Sequence, residues 1–278
     1  MPILDPAISS GELPGSYPAF EEGERLGVWV RNSSGQPLVG QVRTGAECAA
    51  SSCVRCGLCP ASRVQVWPDD DTFFPDWTSP VTQQWWVDQI TAFHDQLQFD
   101  GLWIDMNEPA NFVAGSVQGC ANNSLNFPPY KPGTEGADLL QKTVCMDAVQ
   151  EAGLHYDLHS LYGWTETEPT LRGARLATGG RSLVLSRYNM WIIQIRMKHQ
   201  DNIYMVRSTF VGSGRWTAHW LGDNWSLWDN LHASIVGMLQ FNQFGIPLVG
   251  LHYLHYLHYL HYLHYLQQLQ YLHYLHYL

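Results

Sequence analysis

Positive charge is scarce in this sequence. Its 278 residues include 15 Lys plus Arg against 25 Asp plus Glu, a formal net charge of −10, with no basic cluster. Gripping nucleic acid or an anionic lipid surface takes a basic patch or stripe, so neither partner is expected and a neutral or small polar substrate fits better. Long apolar runs are missing too: no stretch of about 18 apolar residues occurs, and no membrane segment is expected. The opening residues Met1-Pro2-Ile3-Leu4-Asp5-Pro6 lack the basic stretch followed by an apolar one that marks a secretory signal. Cysteine is sparse and uneven. Cys48, Cys53, Cys56 and Cys59 crowd together, but two well-separated cysteine pairs, or a cysteine pair with a histidine pair, are absent, so no metal and no cofactor is read from them. Cys120 and Cys145 stand apart and can close one loop.

Aromatic side chains, by contrast, are plentiful, with 12 Trp, 14 Tyr and 10 Phe in a chain that is 45% hydrophobic. That is enough apolar material for one sizeable core. Flat rings suit the apolar faces of sugars, and they fill cores equally well. Three glycosylation sequons are present, Asn32-Ser33-Ser34, Asn122-Asn123-Ser124 and Asn224-Trp225-Ser226, which matter only on a secretory route.

The most legible unit begins at Ser79-Pro80, an N-cap followed by proline at the first helical position. Trp86, Ile90, Phe93 and Leu97 then recur at helical offsets and predict one apolar face. A turn at Phe99-Asp100-Gly101 leads into the short apolar run Leu102-Trp103-Ile104, ending in Asp105. Two more buried strands are predicted at Ser182 to Ser186 and Ile246 to Gly250, with a helix over Leu227 to Phe241 carrying Leu231, Ile235 and Leu239. Helices alternating with short strands read as an α/β chain, and in a parallel barrel the carboxyl ends of the strands carry the chemistry.

Three stretches break the pattern. Residues 42 to 65 lack any period, residues 188 to 206 read as an extra apolar segment, and residues 251 to 278 form a low-complexity tail of repeated Leu-His-Tyr. A period of three matches neither helix nor strand, so no stable apolar face is expected from the tail. Seven of the thirteen histidines lie in it, and metal binding is the competing reading there.

Hydrolysis of a glycosidic bond with retention needs two carboxyl groups about 5 to 5.5 Å apart, one to attack the anomeric carbon and one to protonate the leaving oxygen. Two candidates stand out: Asp105 in Gly101-Leu102-Trp103-Ile104-Asp105-Met106-Asn107-Glu108-Pro109, and Asp223 in His219-Trp220-Leu221-Gly222-Asp223-Asn224-Trp225-Ser226. Taken alone, an aspartate at a strand end is as readily a cap or a solvated loop residue. The longer strings decide more. Trp103 to Pro109 resembles the nucleophile signature of glycoside hydrolase family 31, and Arg207-Ser208-Thr209-Phe210, Gly214-Arg215 and His219 to Asp223 resemble its acid/base region. Further similarity covers most of residues 3 to 250 outside the two insertions, including Asp5 to Ser9, Gly35 to Gly40, Val66-Trp67-Pro68 and Gly245 to Gly250.

The resemblance implies a retaining α-glucosidase that releases terminal glucose from an α-linked glucose oligosaccharide or glycogen-like substrate, in a lysosomal or secretory setting. It implies Asp105 as nucleophile, Asp223 as acid/base, and a glucose pocket lined by Trp67, Trp103, Met106, Arg207 and Trp220. It also implies a Cys120 to Cys145 disulfide. The fold expected is an incomplete (β/α)8 barrel holding middle strands only, over residues 1–250, with the insertions 42–65 and 188–206 interrupting it. Both insertions fit retained introns that stay in frame, which genomic sequence can check. Arg187 and Arg207 compete for one family position, and pocket residues that family members carry before and after this stretch are missing. Two classes of function remain open: an α-glucosidase, or a non-catalytic fragment of one.

Overall fold

The structure, a computed structural model, describes residues 1–42, 68, 70–131, 138–187, 209–225 and 227–254, and for residues 187, 223–225 and 251–254 the backbone alone. Its centre is a sheet of five parallel strands in the order β1 (Ile3–Leu4), β5 (Gly101–Ile104), β8 (Leu183–Arg187), β9 (Ala218–Trp225) and β10 (Val249–Leu254). Leu4 pairs with Ile104, Ile104 with Ser186, Ser186 with His219, and His219 with Val249, so one register level runs across all five. Leu102, Ile104 and Val184 are fully buried, as strands covered on both faces require. Strand order following chain order, with helices between, is the arrangement of a barrel segment that has not closed. A second, antiparallel sheet of β2 (Ile8–Ser9), β4 (Thr72–Phe73) and β3 (Val39–Gly40) and a small hairpin of β6 (Val149–Gln150) and β7 (Gly153–Leu154) flank it.

Five α-helices are described: α1 (Pro18–Leu26), α2 (Pro80–Gln96), a single turn α3 (His155–Leu158), α4 (Tyr162–Thr178) and α5 (Trp228–Gln243). The expected helix after Ser79 is α2. Ser79 holds the N-cap backbone and Pro80 the first turn, yet the Ser79 hydroxyl makes no capping bond; fixed proline geometry starts the helix instead. Trp85, Trp86, Val87 and Ile90 are buried, whereas Leu97, expected on the same face, lies past the helix end and is exposed. Trp86 donates its indole N–H to Thr170 Oγ1 of α4 at 2.8 Å. Around these two helices Trp29, Trp77, Trp85, Trp86 and Tyr162 form one aromatic cluster, with Trp77 and Trp86 centroids 5.2 Å apart. Most tryptophans of the first half are therefore core.

The predicted strand at 182 to 186 forms one residue later as β8, and the predicted helix at 227 to 241 forms as α5. The last strand departs further. It begins at Val249, leaving Ile246 to Leu248 outside it, and its backbone runs through Leu254, across the start of the Leu-His-Tyr repeat. A parallel neighbour supplies backbone hydrogen bonds whatever the side-chain period, so β9 can order the first repeat residues where no apolar face exists. Residues 43–65, 188–206 and 255–278 lie outside the described residues. Cys120 and Cys145 are joined in a disulfide, with Cα atoms 5.6 Å apart.

Candidate active site

Asp105 is the first residue past β5, and two backbone contacts set it. Its N–H donates to Leu4 O of β1 at 2.9 Å, and its Oδ1 accepts the Met106 N–H at 2.7 Å. Met106 has φ 58°, a left-handed conformation that costs an L residue about 1 kcal/mol or more. Such strain persists only where the surroundings impose it, and it falls immediately after the candidate nucleophile. Both residues are buried. Trp103 on β5 and Trp220 on β9 meet edge to face across β8, with centroids 4.6 Å apart, so two of the expected pocket tryptophans share one face of the sheet. Asp5 stands at the end of β1, one strand over, and joins this group although it was absent from the expected site.

Asp223 lies in β9, three residues beyond Trp220, and its backbone pairs with His252 of β10. Between them Gly222 adopts φ 98°, and the β9–β10 register shifts at the same point. A bulge of this kind bends the strand and re-aims the residues beyond it, and only glycine takes that φ without strain. The side chain of Asp223 lies outside the described residues, as do Trp67 and Arg207 entirely. Arg187 ends β8 with its backbone paired to Trp220, so the backbone of one of the two competing arginines stands at the level of the pocket.

Beneath Asp105 lies an acid network that the apolar pattern of the sequence conceals. Asn107 donates from Nδ2 to Glu166 Oε2 at 3.0 Å and approaches Ser186 Oγ at 3.5 Å; all three are fully buried. The α4 backbone comes so near Asn107 that a Cβ on Gly163 would lie 2.6 Å from the Asn107 carbonyl oxygen. Burial pushes the Glu166 carboxyl up to about 8. The Asn107 hydrogen bond opposes this, and the charges of Asp5, Glu108 and Asp105 reinforce it. Glu166 is accordingly a neutral acid over most of the physiological range. Helix α4 buries Tyr162, Glu166, Thr170 and Ala174 at steps of four, a periodic face with little apolar content, and a search for apolar periodicity passes over it. His219, stacked on Phe241 at 4.0 Å, is pushed down to about 3 by burial and stays neutral as a packing element.

A recess of about 370 Å³ lined by His94, Gln98, Phe99, Asp100 and Thr178 adjoins the opposite, amino-terminal end of β5 and takes no part in this arrangement. Among the described residues no group of three or more His, Cys, Asp or Glu is placed to hold a metal ion, and no helix is long and apolar enough to cross a membrane.

A buried acid at a strand end, framed by tryptophans from parallel strands, is a geometry that many barrels share. Comparison with known proteins narrows it. The glycosyl hydrolases family 31 TIM-barrel domain matches residues 1–252. The chain belongs to that family. It is 44% identical over 248 residues to lysosomal alpha-glucosidase of Bos taurus, covering 89% of this chain and 22% of that protein. Intestinal sucrase-isomaltase of Homo sapiens is 39% identical over 251 residues, 89% of this chain and 11% of the other. Among solved structures, the glucosidase II alpha subunit superposes with a TM-score of 0.58 at 22% identity, over 90% of this chain and 20% of that one, a likeness of fold. The incomplete family 31 barrel expected from sequence is thus what forms, and the chain spans about a fifth of the length of the lysosomal relatives it matches. Asp105, Trp103 and Trp220 occupy the carboxyl end of a family 31 barrel segment, the end where such barrels do their chemistry.

Proposed function

We propose that this chain carries the catalytic centre of a retaining α-glucosidase acting on α-linked glucose oligosaccharides or a glycogen-like polymer. Asp105 attacks the anomeric carbon and forms a covalent glucosyl intermediate; Asp223 gives a proton to the departing oxygen and then takes one from the water that releases glucose. The observation that carries this reading is the placement of Asp105, buried at the carboxyl end of β5 with its carboxylate held by the strained Met106 backbone. Asp223 belongs to β9, two strand spacings away, roughly 10 Å of lateral backbone separation that two inward-reaching carboxyls can reduce to about 5 to 5.5 Å. Trp103 and Trp220 supply the apolar walls that exclude water and stack on a pyranose face. Trp67, Met106 and an arginine, Arg207 or Arg187, complete the glucose subsite in this scheme, since a guanidinium holds hydroxyls with fixed geometry. The disulfide and the neutral Glu166 suit an oxidising route ending in an acidic compartment, consistent with the lysosomal relatives.

The test is hydrolysis of a chromogenic α-glucoside by the full chain and by Asp105→Asn. Turnover that falls to background in Asp105→Asn, with the fold unchanged by circular dichroism, is the expected result. Turnover equal in both proteins removes Asp105 from the nucleophile role. No turnover in either leaves the non-catalytic fragment as the better description.

A further inference from the structure

The three sequons occupy three different structural settings. Asn224 lies within β9, between β8 and β10. Asn32 is half-buried, and its Oδ1 accepts the backbone N–H groups of Ser34 at 2.9 Å and Gln36 at 3.1 Å, so its carboxamide holds the turn that Gly35 completes at φ 80°. Asn122 differs from both. It is exposed, Ser124 is exposed, and the Asn122 carboxamide has no hydrogen-bond partner among the described residues.

The surroundings of Asn122 explain why it is uncommitted. The disulfide at Cys120 anchors the chain two residues earlier. The middle residue of the sequon, Asn123, caps the next turn through Oδ1, accepting from Leu125 at 3.0 Å and Asn126 at 2.9 Å, and donates Nδ2 to Asp147 at 2.8 Å. Asn126, fully buried, accepts the Met146 N–H at 2.7 Å and donates to the Ala121 carbonyl at 2.8 Å. Two asparagines thus satisfy the inner side of the loop and tie it to the stretch of chain carrying Cys145, while the third carries nothing structural. The loop tip also exposes Phe127 and Tyr130, apolar surface that a bulky hydrophilic group would shield.

We propose that Asn122 is an N-glycosylation site, carrying an oligosaccharide on Nδ2 at the disulfide-anchored loop. The donor class is a lipid-linked pyrophosphoryl oligosaccharide. Nδ2 forms a bond to the sugar C1, the C1–O bond to the pyrophosphate breaks, Nδ2 gives up one proton, and the pyrophosphoryl lipid departs. The inference goes beyond the glucosidase reading and does not need it, since modification and hydrolysis involve different residues.

The test places the full chain behind a cleavable secretory leader in a eukaryotic host. Glycans are then removed by an amidase in heavy-oxygen water, which leaves a labelled Asp at each occupied site. Label at Asn122 is expected, released from the folded chain without denaturant because the site is exposed. Asn122→Gln and Ser124→Ala should each remove one gel-mobility step, and Ser124→Thr should keep it. Unlabelled Asn122 in chains recovered from the secretory pathway with the Cys120 to Cys145 bridge formed overturns the proposal, as does an unchanged mobility step in Asn122→Gln.

Discussion

Helices α2 and α5 are written in much the same way, yet they end in opposite circumstances. Each carries apolar residues at helical offsets, and each precedes a strand of the parallel sheet in the chain. Ile90 of α2 is 2% exposed, wedged among Trp85, Trp86 and the α4 helix. Ile235 of α5 is 47% exposed, with Trp228, Leu231, Val236 and Leu239 exposed around it. The difference is one of neighbours. Helix α2 has α4 and α1 against it, whereas α5 packs on β9 and β10 at the open edge of the barrel segment. A periodic apolar stripe states that a helix has a side to bury, and the surrounding architecture decides whether anything is there to bury it.

That contrast can be broken most forcefully at Ile90. Ile90→Ala should cost about 2–5 kcal/mol, the usual range for a truncated buried aliphatic, and urea denaturation followed by tryptophan fluorescence reads it directly. A loss under about 1 kcal/mol would mean the first-half core is far looser than its burial indicates. Next in size is the cross-link of the same region. Replacing Cys120 and Cys145 together with Ser frees a loop whose ends are 25 residues apart, for an expected loss of about 3 kcal/mol. Limited proteolysis of that double variant should cut between residues 105 and 148 before it cuts α5; the reverse order would count against the staple.

The contribution of Glu166 differs in kind, because it depends on pH. Its carboxyl is raised from an ordinary 4.5 to about 8 in the fold. Below pH about 4.5 both folded and unfolded chains hold the proton, and stability with respect to this group is highest. Between about 4.5 and 8 only the unfolded chain releases it, so stability falls as pH rises, by up to about 1.4 kcal/mol per pH unit, and above about 8 the loss is complete. His155 and His219, both pushed down by burial, act the other way and withdraw stability as pH falls below their ordinary 6.5. The difference between wild type and Glu166→Gln across pH 5 to 8 therefore isolates the glutamate. Parallel stability curves for the two proteins would show that Glu166 ionises without cost. The smallest effect belongs to the other side of the comparison: Ile235→Ala should change stability by less than about 0.5 kcal/mol, since Ile235 is 47% exposed. A loss approaching that of Ile90→Ala would show that α5 has a partner after all.

Much of the molecule could be reached from residue order. The apolar strand over Leu102 to Ile104, the helix beginning at Pro80 and the acid at position 105 come from periodicity, proline chemistry and turn residues, all of them local. The family signature around Asp105 and Asp223 is likewise a property of adjacent residues. Other features arise only when distant segments meet. Met106 takes left-handed backbone where the β5 strand ends, and Glu166 becomes a neutral acid because folding buries it, against the opposing pull of Asn107, 59 residues away in the chain. The first Leu-His-Tyr residues enter a strand because β9 offers them a ladder, and the α5 stripe stays exposed because no element among the described residues covers it. Local conformation depends on nearest neighbours, so sequence alone determined it. Protonation, strain and burial depend on what is excluded from around a group, and the tertiary arrangement decided those.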